Sequence, residues 1–288
     1  MSSPDPNFDP QPLPEEPQPP LHLQDPISLP GSGQHSPKAG EDPVWNGWDV
    51  LQIAGITLLL LFFAQFVIVM GARLFIFHRA PLLDVAKNPA LALLSEFVTY
   101  IVVALYMVFL LEGKYHVRFG RAIRWNWPGA AAFSFLGIGV LMLALDMFGR
   151  LLPMPKTTPF DQFFERPFDA YLTAVFAITL GPLMEELFFR GFLYPVIARR
   201  TGVLGGIVLT AAPFGLIHAM QYGYAWGAVL IIFLVGIVLT TLRAVTKSVA
   251  ASFLAHVGYN ASLMVISAIA TGGFRHMEKA GAFLLEKM

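Results

Sequence analysis

The stretch LMEELFFRGF, residues 183–192, places Glu185, Glu186 and Arg190 in a run otherwise made of leucine, methionine, phenylalanine and glycine. Charged side chains in so apolar a neighbourhood are costly unless they are paired or face water, so the stretch is a structural ion pair or a reaction site. Glu186 and Arg190 are four residues apart, share one helix face and can pair. Glu185 lies about 100° round the helix from Glu186 and is left free. The two adjacent carboxylates are thus expected to have different environments.

Two later stretches repeat the spacing of four: FGLIH at 214–218 sets Phe214 with His218, and HVGYN at 256–260 sets His256 with Asn260. A lone histidine on an apolar face is more often a hydrogen-bonded core residue than a catalyst. Two histidines, two glutamates, an arginine and an asparagine at helical spacing exceed what holding helices together requires. A carboxylate beside a histidine can deprotonate water. His256 and Asn260 can then donate to the oxyanion formed when that water attacks an amide carbonyl. Hydrolysis of a peptide bond within a membrane fits this inventory. Rival protease chemistries lack their residues: there is no H-E-x-x-H pair, no G-x-S-x-G elbow and no pair of membrane aspartates. Cysteine is absent, which removes disulfides, thiolate catalysis and cysteine-ligated metals.

The elements that must position these residues follow from composition. The 288 residues are 56% hydrophobic and 13% charged, with a mean hydropathy of +0.61, too apolar for a soluble domain of this size. Net charge is zero, so no basic surface argues for nucleic acid as a partner. The expected partners are the lipid bilayer and a membrane-associated protein or peptide substrate. Apolar runs near the ~20 residues that span ~30 Å of hydrocarbon fall at 49–71, 90–111, 129–152, 170–198, 203–221, 225–243 and 249–270. The predicted fold is all-α, a multi-pass transmembrane bundle of about seven helices. The fourth and fifth helices read as a hairpin turning near Thr201 and Gly202. Counted from that turn, Glu185 lies as far back as His218 lies forward, so antiparallel helices set them at similar depth. Glu96, near a helix end, and Asp146, with no evident partner in its own segment, read as structural.

Residues 1–43 hold 12 of the 22 prolines and seven acidic residues against one lysine, Lys38. Such a segment buries too little apolar surface to fold and lacks a signal peptide's basic start and apolar core, which predicts a retained, disordered tail. Residues 44–168 are expected to hold the first membrane helices and an interfacial connector at 153–168, residues 169–272 the catalytic membrane core, and residues 273–288 a C-terminal tail. Seven helices gather Lys38, Lys114, Arg118, Arg121, Arg124, Arg199, Arg200, Arg243 and Lys247 on one side, and as many basic residues on the other. Concentration in short, acid-poor loops makes the first side cytoplasmic, with the N-terminus there.

EELFFRG at 185–191, FGLIH at 214–218 and HVGYN at 256–260 resemble, in order and spacing, the E-E-x-x-x-R, F-x-x-x-H and H-x-x-x-N motifs of the CAAX protease and bacteriocin-processing family. This is the Abi group of intramembrane endopeptidases, which includes the Ras-converting CAAX endopeptidase. The resemblance covers about 170–270. It implies that Glu185 with His218 activates water, that His256 and Asn260 stabilise the oxyanion, and that Glu186, Arg190 and Phe214 shape the site. It also implies a multi-pass protein, expected in a bacterial cytoplasmic membrane. A water activated without metal is the preferred mechanism; zinc, if bound, would draw on His218, His256 and Glu185. The rival class is a non-catalytic immunity or scaffold protein using the same polar residues for helix packing. Gly181-Pro182 and Pro213 are expected to bend helices beside the site.

Overall fold

A computed structural model describes residues 43–149, 151–152 and 157–276. The predicted tail up to residue 42, and the C-terminal tail beyond 276, lie outside the described residues. Every regular element among the described residues is helical.

Helix α1 (Gly47–Phe75) begins in a capping box. The Asn46 side chain accepts from the N–H groups of Trp48 and Asp49, and Asp49 accepts the Asn46 N–H at 2.9 Å. Asp49 is buried and also accepts from Lys114 Nζ at 2.6 Å and Tyr115 Oη at 2.7 Å. Those bonds tie the start of α1 to the end of α3 (Pro89–Phe109) and its π-helical extension, Leu110–Lys114. Two short helices, α2 (Leu82–Ala86) and α4 (Phe119–Ala122), serve as connectors. Helices α5 (Ala132–Leu141) and α6 (Leu143–Gly149) form the next crossing. Then come α7 (Pro167–Ile178), α8 (Leu180–Glu186), a π-helical segment Leu187–Leu193, α9 (Tyr194–Ile217), α10 (Trp226–Thr246) and α11 (Val249–Ala270).

Among the described residues six stretches are long and apolar enough to cross a membrane, and one of them, Pro167–Ile217, is 51 residues long. At about 1.5 Å per residue it would run well over twice the ~30 Å of a hydrocarbon core. It turns back at Gly202, whose φ of 75° and ψ of 176° no α-helix contains and which suits glycine alone. Past the turn, a Cβ added to Gly206 would lie 2.7 Å from the Ala198 Cβ, so the two arms are in close contact. The stretch is therefore two antiparallel spans, which makes seven crossings among the described residues. On α1, Leu59, Phe62 and Phe66 are each more than half exposed, as a lipid-facing helix requires. The chain is an integral, multi-pass membrane protein.

Among the basic loops predicted to share a side, Lys38 lies outside the described residues, and the loops with Arg124, Arg199 and Lys247 are held by these contacts. Arg199 Nη1 donates to the Pro43 carbonyl at 3.2 Å, Asn126 Nδ2 to the Lys247 carbonyl at 3.0 Å, and Val249 N–H to the Arg124 carbonyl at 3.0 Å.

Helix α11, which carries His256 and Asn260, is fixed by close backbone approach to α5. A Cβ on Gly139 would overlap the Ala255 carbonyl oxygen, and one on Gly258 would overlap that of Leu136. Small residues at the crossing are what such contact demands in a membrane.

Candidate active site

Glu186 and Arg190 are both fully buried, and every polar atom of the pair is engaged. Glu186 Oε1 accepts from Arg190 Nη1 at 2.7 Å and from His256 Nδ1 at 3.0 Å, while its Oε2 accepts from the Ser252 hydroxyl. Arg190 also donates from Nε to Thr240 Oγ1 at 3.2 Å and from Nη2 to the Gly236 carbonyl at 3.1 Å. Its guanidinium lies 4.4 Å from the centroid of the Phe214 ring. The ion pair is the structural half of the opening motif, joining α8, α10 and α11.

Local sequence explains how Arg190 reaches this position. It lies in the π-helical segment, one residue wider per turn than an α-helix. Pro195 has no N–H to offer the carbonyl five residues back, that of Arg190. Arg243 Nε donates to that oxygen instead, at 3.2 Å. Trp45 Nε1 similarly holds the Phe192 carbonyl at 3.0 Å. On the other side of the motif, Thr179 breaks the helix with φ −114° and ψ −80°, just before Gly181 and Pro182, near the bend the sequence predicts.

Glu185 points elsewhere. Its side chain is 22% exposed, with Oε1 3.8 Å from His218 Nε2 and Oε2 3.7 Å from His256 Nε2. The equal counts from the Gly202 turn do bring Glu185 and His218 together. Both imidazoles are oriented from behind. His218 Nδ1 lies 2.8 Å from the Phe214 carbonyl, which only accepts, so that nitrogen carries the proton and Nε2 presents a lone pair when the ring is neutral. The Glu186 carboxylate imposes the same tautomer on His256. Phe214 packs between them, its ring centroid 5.3 Å from that of His218 and 5.9 Å from that of His256.

A cavity of about 450 Å³ opens in front of Glu185, with His218, His256, Asn260 and Tyr222 in its wall. Asn260 faces it beside His256, but its Nδ2 donates to the Ala177 carbonyl at 2.7 Å. That carbonyl is among the last four of α7, which have no partner inside their own helix. Asn260 therefore also seals the break between α7 and α8. Tyr222, on the loop after α9, has its phenol pushed up to about 12 by burial first and by the nearby Asp146, Asp161 and Glu185 carboxylates second, which keeps it a neutral donor.

One reading of the sequence needs correction. Glu96 is not a bland residue near a helix end: it lines this cavity and an adjoining one of about 430 Å³, both of which also contain Glu185 and His218. Asp146, read as structural, is met from another helix, where Tyr259 Oη donates to its Oδ1 at 3.0 Å. The connector is also more than a plain link. Residues Pro159–Phe164 form a 3₁₀ turn capped by Thr158 and Asp161, and Phe160 N–H donates to the Gln221 carbonyl at 3.1 Å. Pro159, Phe160 and Phe163 line the cavity.

Sequence reasoning missed Ser252, Thr240 and the Gly236 carbonyl. Ser252 had a signal, one turn before His256; Thr240 and Gly236 lie on α10, where no motif marks them. Glu185, His218 and His256, the residues zinc would draw on, face one another, yet no group of three or more His, Asp or Glu among the described residues is arranged to hold a metal ion.

Comparison with known proteins adds one finding. Residues 167–262 match the family model described as type II CAAX prenyl endopeptidase Rce1-like. No curated protein and no solved structure matches the chain. The matched residues begin with the first residue of α7, run past Asn260, and include all three motifs with the network that orients them. Over residues 167–262, a third of the chain, the sequence is similar to the CAAX protease family that its motifs resemble.

Proposed function

We propose that the chain is an intramembrane endopeptidase that hydrolyses a peptide bond of a membrane-associated protein or peptide. The observation that carries this reading is the contrast between adjacent carboxylates. Glu186 is consumed by Arg190, His256 and Ser252, whereas Glu185 stands at a cavity wall between two imidazole Nε2 atoms, 3.8 and 3.7 Å away. Those separations exceed a direct hydrogen bond and suit a bridging water. Helix packing has no use for a carboxylate held that way, which argues against the scaffold alternative.

In the proposed reaction Glu185 takes a proton from water as the oxygen attacks the amide carbonyl, with the His218 lone pair helping to orient that water. The second N–H of the Asn260 amide donates to the oxyanion, and the His256 ring, oriented by Glu186, joins it from Nε2 when that nitrogen carries a proton. Collapse of the tetrahedral intermediate breaks the C–N bond, and Glu185 returns its proton to the leaving amine. These residues supply each step without a metal; if zinc is bound, His218, His256 and Glu185 are the side chains that would meet it.

A cytoplasmic N-terminus is the orientation that the basic loops around Arg124, Arg199 and Lys247 support. In this cysteine-free chain, a cysteine at Lys247 should react with an impermeant maleimide only from the cytoplasmic side; labelling from outside reverses the orientation.

The activity is tested by proteomics of cells carrying the native chain or Glu185→Gln. Membrane peptides should accumulate uncut only with the variant. Identical peptide profiles, with both proteins present at equal level, would remove the peptidase reading.

A further inference from the structure

Glu96 is a carboxyl that the proposed mechanism does not use. It lies on α3 with Tyr100 one turn further on, and both line the two cavities that meet at Glu185 and His218. Among the described residues it has no hydrogen bond or ion pair, and the charge acting on it is that of Glu185, another acid. Among the described residues no lysine or arginine lines either cavity. Arg190, the basic residue nearest the catalytic constellation, is already committed to Glu186 at 2.7 Å. Among the described residues the walls therefore hold two carboxyl groups and two imidazoles, with no permanent cation.

A carboxylate taken from water into an apolar wall is costly until something positive meets it, and the attraction is stronger there than in bulk water. The cavity of about 430 Å³ suggests what that group is. Leu58, Leu61, Val103 and Met107 make most of its α1 and α3 walls apolar beside Thr57, while Glu96 and Tyr100 of α3 join Glu185, His218 and Gln221 as its polar part. Lysine and arginine have this profile, laying a methylene stem along apolar surface and presenting the charge at its tip.

We propose that Glu96 forms an acidic subsite that takes the lysine or arginine side chain of a peptide bound across Glu185. The identification of the ligand as a peptide rests on the peptidase reading above. Glu96 determines specificity here, and its ion pair with the incoming side chain holds the scissile carbonyl beside Glu185.

The test uses the full chain in liposomes and a decapeptide library in which one position at a time is fixed as lysine, norleucine or glutamate. Peptides retained by the protein and fragments released are read in parallel: retention tests the subsite, release tests the peptidase reading. At one position the native chain should retain lysine over norleucine by about tenfold, as expected for a charge pair formed away from water. Where cleavage is seen, KM should carry that difference. Glu96→Gln should bring the ratio to about one, because the shape stays and the charge goes. Glu96→Lys should turn the preference toward glutamate, which a merely misfolded protein would not do. Equal retention of lysine and norleucine peptides by the native chain, or a lysine preference that survives Glu96→Gln, overturns the subsite whether or not fragments appear. Lysine selection lost in Glu96→Gln with no fragments from any protein supports the subsite and removes the peptidase reading.

Discussion

His256 Nδ1 lies 3.0 Å from Glu186 Oε1, so a carboxylate that takes no part in the proposed bond-making sets the orientation of a histidine that does. Glu186 meets Arg190 at 2.7 Å through the same oxygen. One buried charge thereby links the helix carrying the paired glutamates to the helix carrying His256 and Asn260. Disturbing the network should alter stability first, and activity through the pose of His256.

Ser252 tests the network at its least conspicuous member. Its hydroxyl donates to Glu186 Oε2, and the residue is fully buried. Ser252→Ala removes the donor and leaves a buried carboxylate oxygen unmet, at a cost of about 1–3 kcal/mol. Thermal melts of the purified protein should show a lower midpoint. A midpoint equal to that of the native chain would mean that Glu186 does not depend on the serine.

His256 and Asn260 are expected to act on the oxyanion. His256→Ala and Asn260→Ala should each lower the cleavage rate by ~10² to 10³, the loss typical of one oxyanion donor. Asn260 also donates to the Ala177 carbonyl, so Asn260→Ala should lower the melting midpoint as well. Asn260→Asp keeps the shape but removes both N–H donors, so it loses the Ala177 bond and the oxyanion contact together. Full activity in Asn260→Asp would leave the amide with its sealing role alone.

Metal content is a separate question. Protein purified in detergent should contain far less than stoichiometric zinc and should keep its activity on treatment with a chelator. Zinc near one atom per chain, lost together with activity on chelation and restored by adding it back, would replace the water activated by Glu185 alone with a metal-bound one.

Much of the site was legible because helical spacing is a strong constraint. Four residues separate Glu186 from Arg190 and also Phe214 from His218, and one helical turn is enough to bring each pair into contact. The hairpin was legible too, since a glycine between two apolar runs marks a turn, and φ at Gly202 is 75°. Glu96 was not legible. Its own segment gives no sign that α3 packs near α8, and only that packing places it opposite Glu185. The partner of Asp146 was hidden for the same reason, Tyr259 being 113 residues away. The π-helical turn had an unread signal in Pro195, which removes the donor for the Arg190 carbonyl. Asn260 shows the limit of spacing alone: position four after His256 sets it on the cavity wall, but the acceptor for its amide arises from the break between α7 and α8.

The division of labour between the two adjacent glutamates is tested most directly by measuring thermal melts and cleavage rates of Glu185→Gln and Glu186→Gln in parallel. Glu185→Gln should melt close to the native chain and lose ~10² to 10⁴ in cleavage rate, as a missing general base does. Glu186→Gln should lose the charge that balances Arg190, costing about 3–5 kcal/mol, so that a lower midpoint or poor yield is its main effect and activity falls with it. A Glu185→Gln protein that cleaves at the native rate, beside a stable and inactive Glu186→Gln protein, would show the roles to be reversed and contradict the account.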